Sequence, residues 1–278
     1  MIVPFSYQGS KIREIGKLSK FIPQNSRIIE PFFGSGIVTM KLGADDHQCA
    51  INDLNKDVAE VWKAVPNIKF LDGIVKLCQE ENKTEEFYYE HRAKYNELWK
   101  ADIWNIERTI LFYYLMSSCH AGMIRYGPNG FNTSYKLYLS SGRMYNINER
   151  VVSLQYIHSK LSMIKNMDAI EFLKWIEKNI DKYDVIYCDP PYIDSASQYI
   201  NEWNTENLIE LDSLLQYYSD RHDTVGILSN YYSDKMKYSG EIFTHETVRQ
   251  ASSKNVIKKD VIISYGTSKF ELEKFFNE

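Results

Sequence analysis

Apolar positions along the chain change their period several times, and each change marks an element. Ile12, Ile15, Leu18 and Phe21 recur at helical spacing and predict a helix over Lys11–Phe21. "SRIIEPFFGSG" is a short apolar run entering a glycine turn, so it predicts a strand, and "IVTMKLGA" continues as a helix. "CAINDLN" predicts a second short strand with acids at its C-terminal end. Residues 56–119 then turn helical. Phe87, His91, Tyr95 and Leu98 share one face of a helix, as do Ile106, Ile110 and Tyr113 of another. From Gly122 to Asn148 turn residues dominate, which predicts a hairpin-like excursion with β-type segments around Tyr135–Leu139.

The last 120 or so residues alternate again. "FLKWIEKNI" and "ENLIELDSLLQYYSD" predict helices, "YDVIYCDPPY" and "TVGILSN" strands, and "DVIISYG" a late edge strand. Such alternation predicts an open α/β sheet wound by helices, with ligands at the C-terminal ends of the strands. With no repeat and no linker-like tract, a second domain would be an insertion packed on the first.

Composition narrows the class. At 278 residues with 44% apolar and 25% charged residues, the chain reads as a globular protein of one or two domains. No apolar run approaches the ~20 residues of a membrane span, and the start, "MIVPFSYQGSK", does not read as a signal peptide. The four cysteines form no CxxC pair and the six histidines no ligand spacing, so the expectation is a reduced, cytoplasmic setting without a metal. A net charge of −4 weighs against a uniformly basic surface, yet leaves room for local phosphate-binding patches. The 21 Tyr, 13 Phe and 5 Trp are mostly core, with some free to stack on a base or a cofactor ring.

Two constellations carry chemistry. Glu30 to Gly36, "EPFFGSG", follows a strand and opens a helix, a GxG turn without the third glycine of the dinucleotide fingerprint. Asp53 ends the next strand, where an α/β nucleotide site places an acid on ribose hydroxyls. A carboxylate at Glu30 suits the positive charge of S-adenosylmethionine better than the pyrophosphate of NAD. The second constellation is "DPPY", Asp189 to Tyr192. An exocyclic amine of a base is a poor nucleophile because its lone pair is delocalised into the ring. The Asp189 carboxylate and the Pro190 carbonyl could accept hydrogen bonds from that NH2 and localise the lone pair toward a methyl donor. Tyr192 could stack on the extruded base. The plainer reading of "CDPPY" is a strand terminus. Cys188 invites a cytosine-C5 reading, but it ends an apolar strand and reads as core.

"EPFFGSG" with "DPPY" downstream and "YQGSK" (Tyr7 to Lys11) ahead of both resembles the Dam-like class α adenine-N6 DNA methyltransferases. "MIRYGPNGFNTSY" and "GRMYN" are similar to that family's recognition hairpin, and "ILSN" and "VRQASSKNVIKKDVIISY" to its C-terminal strand and loop. Tyr7 and Ser10 replace the Trp and second Gly of the commoner "WAGGK".

The resemblance implies a Rossmann-like doubly wound methyltransferase sheet with an inserted, mainly helical target-recognition domain carrying a β-hairpin. Residues 1–55 and 160–278 would form the catalytic domain and residues 56–159 the insert. It implies S-adenosyl-L-methionine as cofactor and double-stranded DNA as partner, acting as monomer or weak dimer in a bacterial or phage-infected cell, with pairing to a restriction endonuclease as one setting. Tyr7, Gly9, Lys11, Glu30, Phe32, Gly34, Gly36, Asp53, Asp168 and Asp189 would surround the cofactor. Asp189, Pro190, Tyr192 and Lys11 would form the catalytic pocket, and Met123, Arg125, Tyr126, Asn129 and Arg143 would meet DNA at a short palindrome such as GATC. From the sequence alone, the plainer reading of Asp168 is a helix N-cap before "AIEFLKWI". Each arginine reads equally as a solvated charge. Cytosine-N4 methylation, a DNA-binding protein on an inactive methyltransferase fold, and an NAD oxidoreductase are the competing functions.

Overall fold

The computed structural model describes residues 1–82, 84–136, 146–179, 183–191, 203–222, 224–231, 236–251 and 254–266. Strand β1 (Ile28–Glu30) is buried at every position, as a strand covered on both faces must be. It lies between β2 (Cys49–Asn52) and β6 (Val185–Cys188), parallel to both. β5 (Leu161–Lys165) extends the parallel set beyond β2, and β7 (Val225–Tyr231) extends it beyond β6. β8 (Glu241–Ala251) and β9 (Lys254–Tyr265) complete a seven-stranded sheet in the order β5-β2-β1-β6-β7-β9-β8.

"DVIISYG" is therefore not at the edge. It belongs to β9, which runs antiparallel between β7 and β8, and β8 is the edge strand. The long β8–β9 hairpin folds its second strand inward against β7, a pairing set by tertiary contact rather than by local pattern.

Side chains alternate across the sheet. Ile28, Val185 and Val225 face one core, whereas Ile29, Ile186 and Leu228 face the other. The second face is covered by α8 (Ala169–Asn179) and α9 (Thr205–His222) through Phe172, Leu173, Leu211 and Leu215. The first is covered by α1 (Ile15–Leu18), α2 (Ile37–Leu42) and α7 (Ile147–His158). Helices on both faces of a mostly parallel sheet make a Rossmann-like, doubly wound architecture. The helix expected over Lys11–Phe21 is shorter: a 3-10 turn at Lys11–Arg13 precedes α1, and Phe21 lies beyond it.

Between β2 and β5 the chain leaves the sheet through α3 (Lys56–Ala64), α4 (Ile68–Leu77), α5 (Glu85–Lys100) and α6 (Ile106–Ser118). α6 is buried from Leu111 to Ser118, not along one face, because it forms the centre of this helical group. β3 (Tyr126–Gly127) and β4 (Gly130–Phe131) form a tight hairpin with Pro128 and Asn129 at its tip. Tyr135 makes an isolated bridge to Cys119, and the rest of the β-type segment expected to Leu139 lies outside the described residues. One core runs from the sheet into the helical group: Trp62 of α3 packs on Phe33 at 5.0 Å between ring centroids and on Phe5 at 5.9 Å. No described helix is long and apolar enough to cross a membrane.

Candidate active site

β1 leads on to β2 on one side, and β6 leads on to β7 on the other. The crevice between the C-terminal ends of β1 and β6 is therefore a topological switch point, where open α/β sheets bind ligands. Glu30 ends β1, and Asp189 follows the last residue of β6. These positions are 159 residues apart in sequence, so only the parallel pairing of β1 with β6 brings the two motifs together.

The N-terminal element closes this crevice. Lys11, only 4% exposed, places Nζ 3.2 Å from Asp189 Oδ1 and 3.6 Å from Glu14 Oε2, while Asp189 is 18% exposed. Tyr7 lies over the glycine turn, with Gly9 on the bend that returns the chain to Lys11 through a Ser10 N–H bond to the Tyr7 carbonyl (3.3 Å). Gly34 has φ of +51°, and a Cβ there would come within 2.8 Å of the Tyr7 ring. Gly36 has φ of +69° and precedes the first residue of α2. Both positions need a residue without a side chain, for conformation and for space. Phe32 sets its ring edge-on to Trp203 at 5.2 Å.

Acids gather at the strand ends. The Glu30 carboxylate accepts both the backbone N–H (2.8 Å) and the hydroxyl of Thr39 on Oε1. Burial pushes its pKa up to about 8 against those two bonds, and the nearby charge of Asp189 pushes it further in the same direction. Asp53 accepts the Gly34 N–H on Oδ2 and the Asn55 N–H on Oδ1, each at 2.9 Å, and burial raises it to about 6. Asn52 exchanges bonds of 3.0 Å with the Met167 N–H and carbonyl, which ties the end of β5 beside Asp53. Asp168 follows directly and caps α8, its Oδ1 accepting the N–H groups of Ile170 (2.9 Å) and Glu171 (3.2 Å). The capping role that the sequence permitted is thus present.

This donor set fits S-adenosylmethionine. Carboxyls whose pKa is raised by burial favour a cationic ligand that lowers the cost of their ionisation. A pyrophosphate would meet charge of its own sign. The glycine backbone permits close approach to a ligand. Cys188 is fully buried, and burial with the charges of Asp189 and Glu30 raises its thiol well above the usual range, which is the profile of a core residue and not of a nucleophile.

The described residues expected to meet DNA lie in the β3–β4 hairpin and just before it. Arg125 is exposed and splinted by Asn132, to whose side-chain oxygen Nε donates (2.6 Å) and to whose carbonyl Nη2 donates (3.1 Å). Asn129 is exposed at the hairpin tip, and Met123 is half-buried with its carbonyl accepting the Thr133 hydroxyl. Tyr126 turns inward: its hydroxyl reaches Tyr95 (3.0 Å) and Asp57 (3.4 Å), and its ring stacks on Trp99. Tyr192 and Arg143 lie outside the described residues. The N-terminal element and the helical group meet directly, since the Gln8 N–H donates to the Gly122 carbonyl at 3.1 Å.

Sequence reasoning did not single out Glu14, Thr39, Asn55 or Asp57. Asn55 carried a signal, a capping residue before the helix of "NKDVAEVW", and Glu14 stands only three residues from its partner Lys11, whereas the partner of Thr39 is visible only in three dimensions.

The model of the D12 class N6 adenine-specific DNA methyltransferases matches residues 7–261. The chain is 26% identical to the retron Ec67 DNA adenine methylase of Escherichia coli, over 96% of this chain and 88% of that one. It is also 26% identical to the DNA adenine methylase of Haemophilus influenzae, over 96% and 94%. A third relative, the type II methyltransferase M.CviBI of Paramecium bursaria Chlorella virus NC1A, is 26% identical over 67% of each chain.

Proposed function

The chain belongs to the D12 class N6 adenine-specific DNA methyltransferases, and from that premise we propose how its residues divide the work. The enzyme transfers a methyl group from S-adenosylmethionine to N6 of adenine in DNA. The observation that carries our assignment is the Lys11–Asp189 pair at the β1/β6 crevice, beside the buried carboxyl of Glu30.

Glu30, Phe32, Gly34 and Gly36, with Tyr7 and Gly9 above them, hold the methionine part. Asp53 takes the ribose and Asp168 lies by the adenine ring. Bound there, the cofactor supplies an electrophilic methyl on a sulfonium. Asp189 and the Pro190 carbonyl accept hydrogen bonds from the N6 amine, which draws its lone pair out of the ring. Lys11 pairs with Asp189 and fixes the direction of that carboxylate. The amine becomes acidic once methylated, so Asp189 need not be a strong base. Tyr192 stacks on the flipped adenine.

The recognition insert is proposed to span residues 56–159, of which α3 and α7 also pack on the glycine turn and the sheet. Arg125, Asn129 and Arg143, with Met123 and Tyr126 behind them, bring side chains to the major groove, where an arginine can read guanine. A short palindrome such as GATC is the proposed site. The relative named as a type II methyltransferase supports a partnership with a restriction endonuclease. We propose that the protein works in the cytoplasm as a monomer or weak dimer. Expression in a host lacking adenine methylation, followed by modification-sensitive sequencing, tests this reading. N6-methyladenine in one short motif is expected; unmodified DNA, or N4-methylcytosine, overturns it.

A further inference from the structure

Helix α3 touches both sides of the cofactor turn. Its N-cap, Asn55, donates its backbone N–H to Asp53 Oδ1 (2.9 Å) and accepts the Asp57 and Val58 N–H groups on its side-chain oxygen. Further along, Trp62 Nε1 donates to the Gly34 carbonyl at 3.0 Å. The helix is thus fixed to the ribose acid and to the glycine turn at once.

The same helix points a buried acid the other way. Asp57 receives Arg108 Nε on Oδ1 and Nη2 on Oδ2, both at 2.9 Å, and the Tyr95 hydroxyl on Oδ2 at 2.8 Å. The Tyr126 hydroxyl lies 3.4 Å from that oxygen and 3.0 Å from the Tyr95 hydroxyl. The two side chains of the ion pair are 6% and 2% exposed, and the guanidinium is stacked on Trp104 at 3.5 Å. Tyr126 is the first residue of the hairpin, and Asn96 holds the other strand, accepting the Phe131 N–H (2.7 Å) and donating to its carbonyl (3.0 Å).

A buried ion pair adds little net stability over well-packed apolar side chains of the same volume. What a bidentate guanidinium and two hydroxyls on one carboxylate do supply is a single geometry. Here that geometry joins a cofactor-side helix to a hairpin that carries exposed Asn129.

We propose that Asp57 is a positioning residue that locks the 126–131 hairpin to Asp53 and the glycine turn, so that cofactor and DNA bind with positive coupling. The proposal rests on the hairpin meeting DNA. Coupling of two sites is reciprocal and typically spans ~5–150-fold.

The test measures affinity for a duplex carrying the mapped methylation site, with and without S-adenosylhomocysteine. Wild type is compared with Tyr126→Phe, and with Asn129→Ala and Arg125→Ala for the interface itself. Tyr126→Phe removes one hydroxyl from the network and keeps the ring on Trp99, so it preserves the fold where Asp57→Asn strands Arg108. We expect a coupling of about tenfold in wild type and about threefold or less in Tyr126→Phe, with its affinity for S-adenosylhomocysteine alone unchanged. A hydroxyl acting only by touching DNA would weaken binding equally in both conditions. Unchanged coupling in Tyr126→Phe overturns the proposal while leaving the hairpin's role intact. Unchanged DNA affinity in both Asn129→Ala and Arg125→Ala removes the hairpin from the interface, and the link falls with it.

Discussion

The protonation of Glu30 should govern cofactor binding near neutral pH. Its carboxyl sits at the end of β1 with a pKa near 8, raised by burial and then by Asp189, with the two Thr39 bonds opposing. At pH 7 about one tenth of the unliganded protein then carries Glu30 ionised. A sulfonium favours the ionised form, so binding at pH 7 should release up to about 0.9 proton per site. Affinity should rise as pH rises, by up to about fiftyfold between pH 6 and pH 8. Asp53, near 6, contributes only to the lower part of that range. Stability follows the same linkage. The unfolded carboxyl gives up its proton near 4.5 and the folded one near 8, so the folded state holds more protons between them and stability falls as pH rises through that window. Titration calorimetry at pH 6, 7 and 8, in two buffers of different protonation enthalpy, counts the protons. Glu30→Gln keeps an oxygen for Thr39 and cannot titrate, so it should abolish the release seen at pH 7. Equal proton release and equal pH slope in wild type and Glu30→Gln would refute the reasoning.

Other substitutions test the surroundings. Gly34→Ala places a side chain at φ of +51° and drives a Cβ within 2.8 Å of Tyr7, so it should cost about 1–3 kcal/mol in thermal unfolding and weaken S-adenosylhomocysteine binding in calorimetry. Wild-type affinity in Gly34→Ala would show that Tyr7 can move aside freely. Cys188→Ala should keep methyl transfer, at a cost in stability of about 1 kcal/mol, because the thiol is core. Loss of transfer in a folded Cys188→Ala would contradict that reading.

Much of this was legible in the sequence for identifiable reasons. The strands around Ile28 and Val185 are short apolar runs bounded by glycine or proline, and α5 and α8 keep helical periodicity. β5 was not legible: after Leu161 its positions are exposed at Ser162 and half-buried from Met163 on, and it follows α7 with few residues between. β9 looked like an edge because sequence pattern cannot show that β8 covers it. In the site, "EPFFGSG" and "DPPY" carry their own signals, yet the meeting of Lys11 with Asp189 depends on sheet order. Asp57 gave no local sign beyond an acid in a first helical turn, since its partners come from α5, α6 and β3. Tyr126 is among the residues expected to meet DNA, and only its contacts with Tyr95 and Trp99 show that it faces inward.

The central claim is that Asp189 orients the adenine amine and does not hold the cofactor in place by itself. Purified wild type and Asp189→Ala should be compared for transfer of labelled methyl from S-adenosylmethionine to DNA, with nucleosides identified by mass spectrometry and cofactor binding measured in parallel. The account predicts N6-methyladenine with wild type, none with Asp189→Ala, and cofactor binding largely retained in both. Wild-type transfer by the Asp189→Ala protein would contradict it.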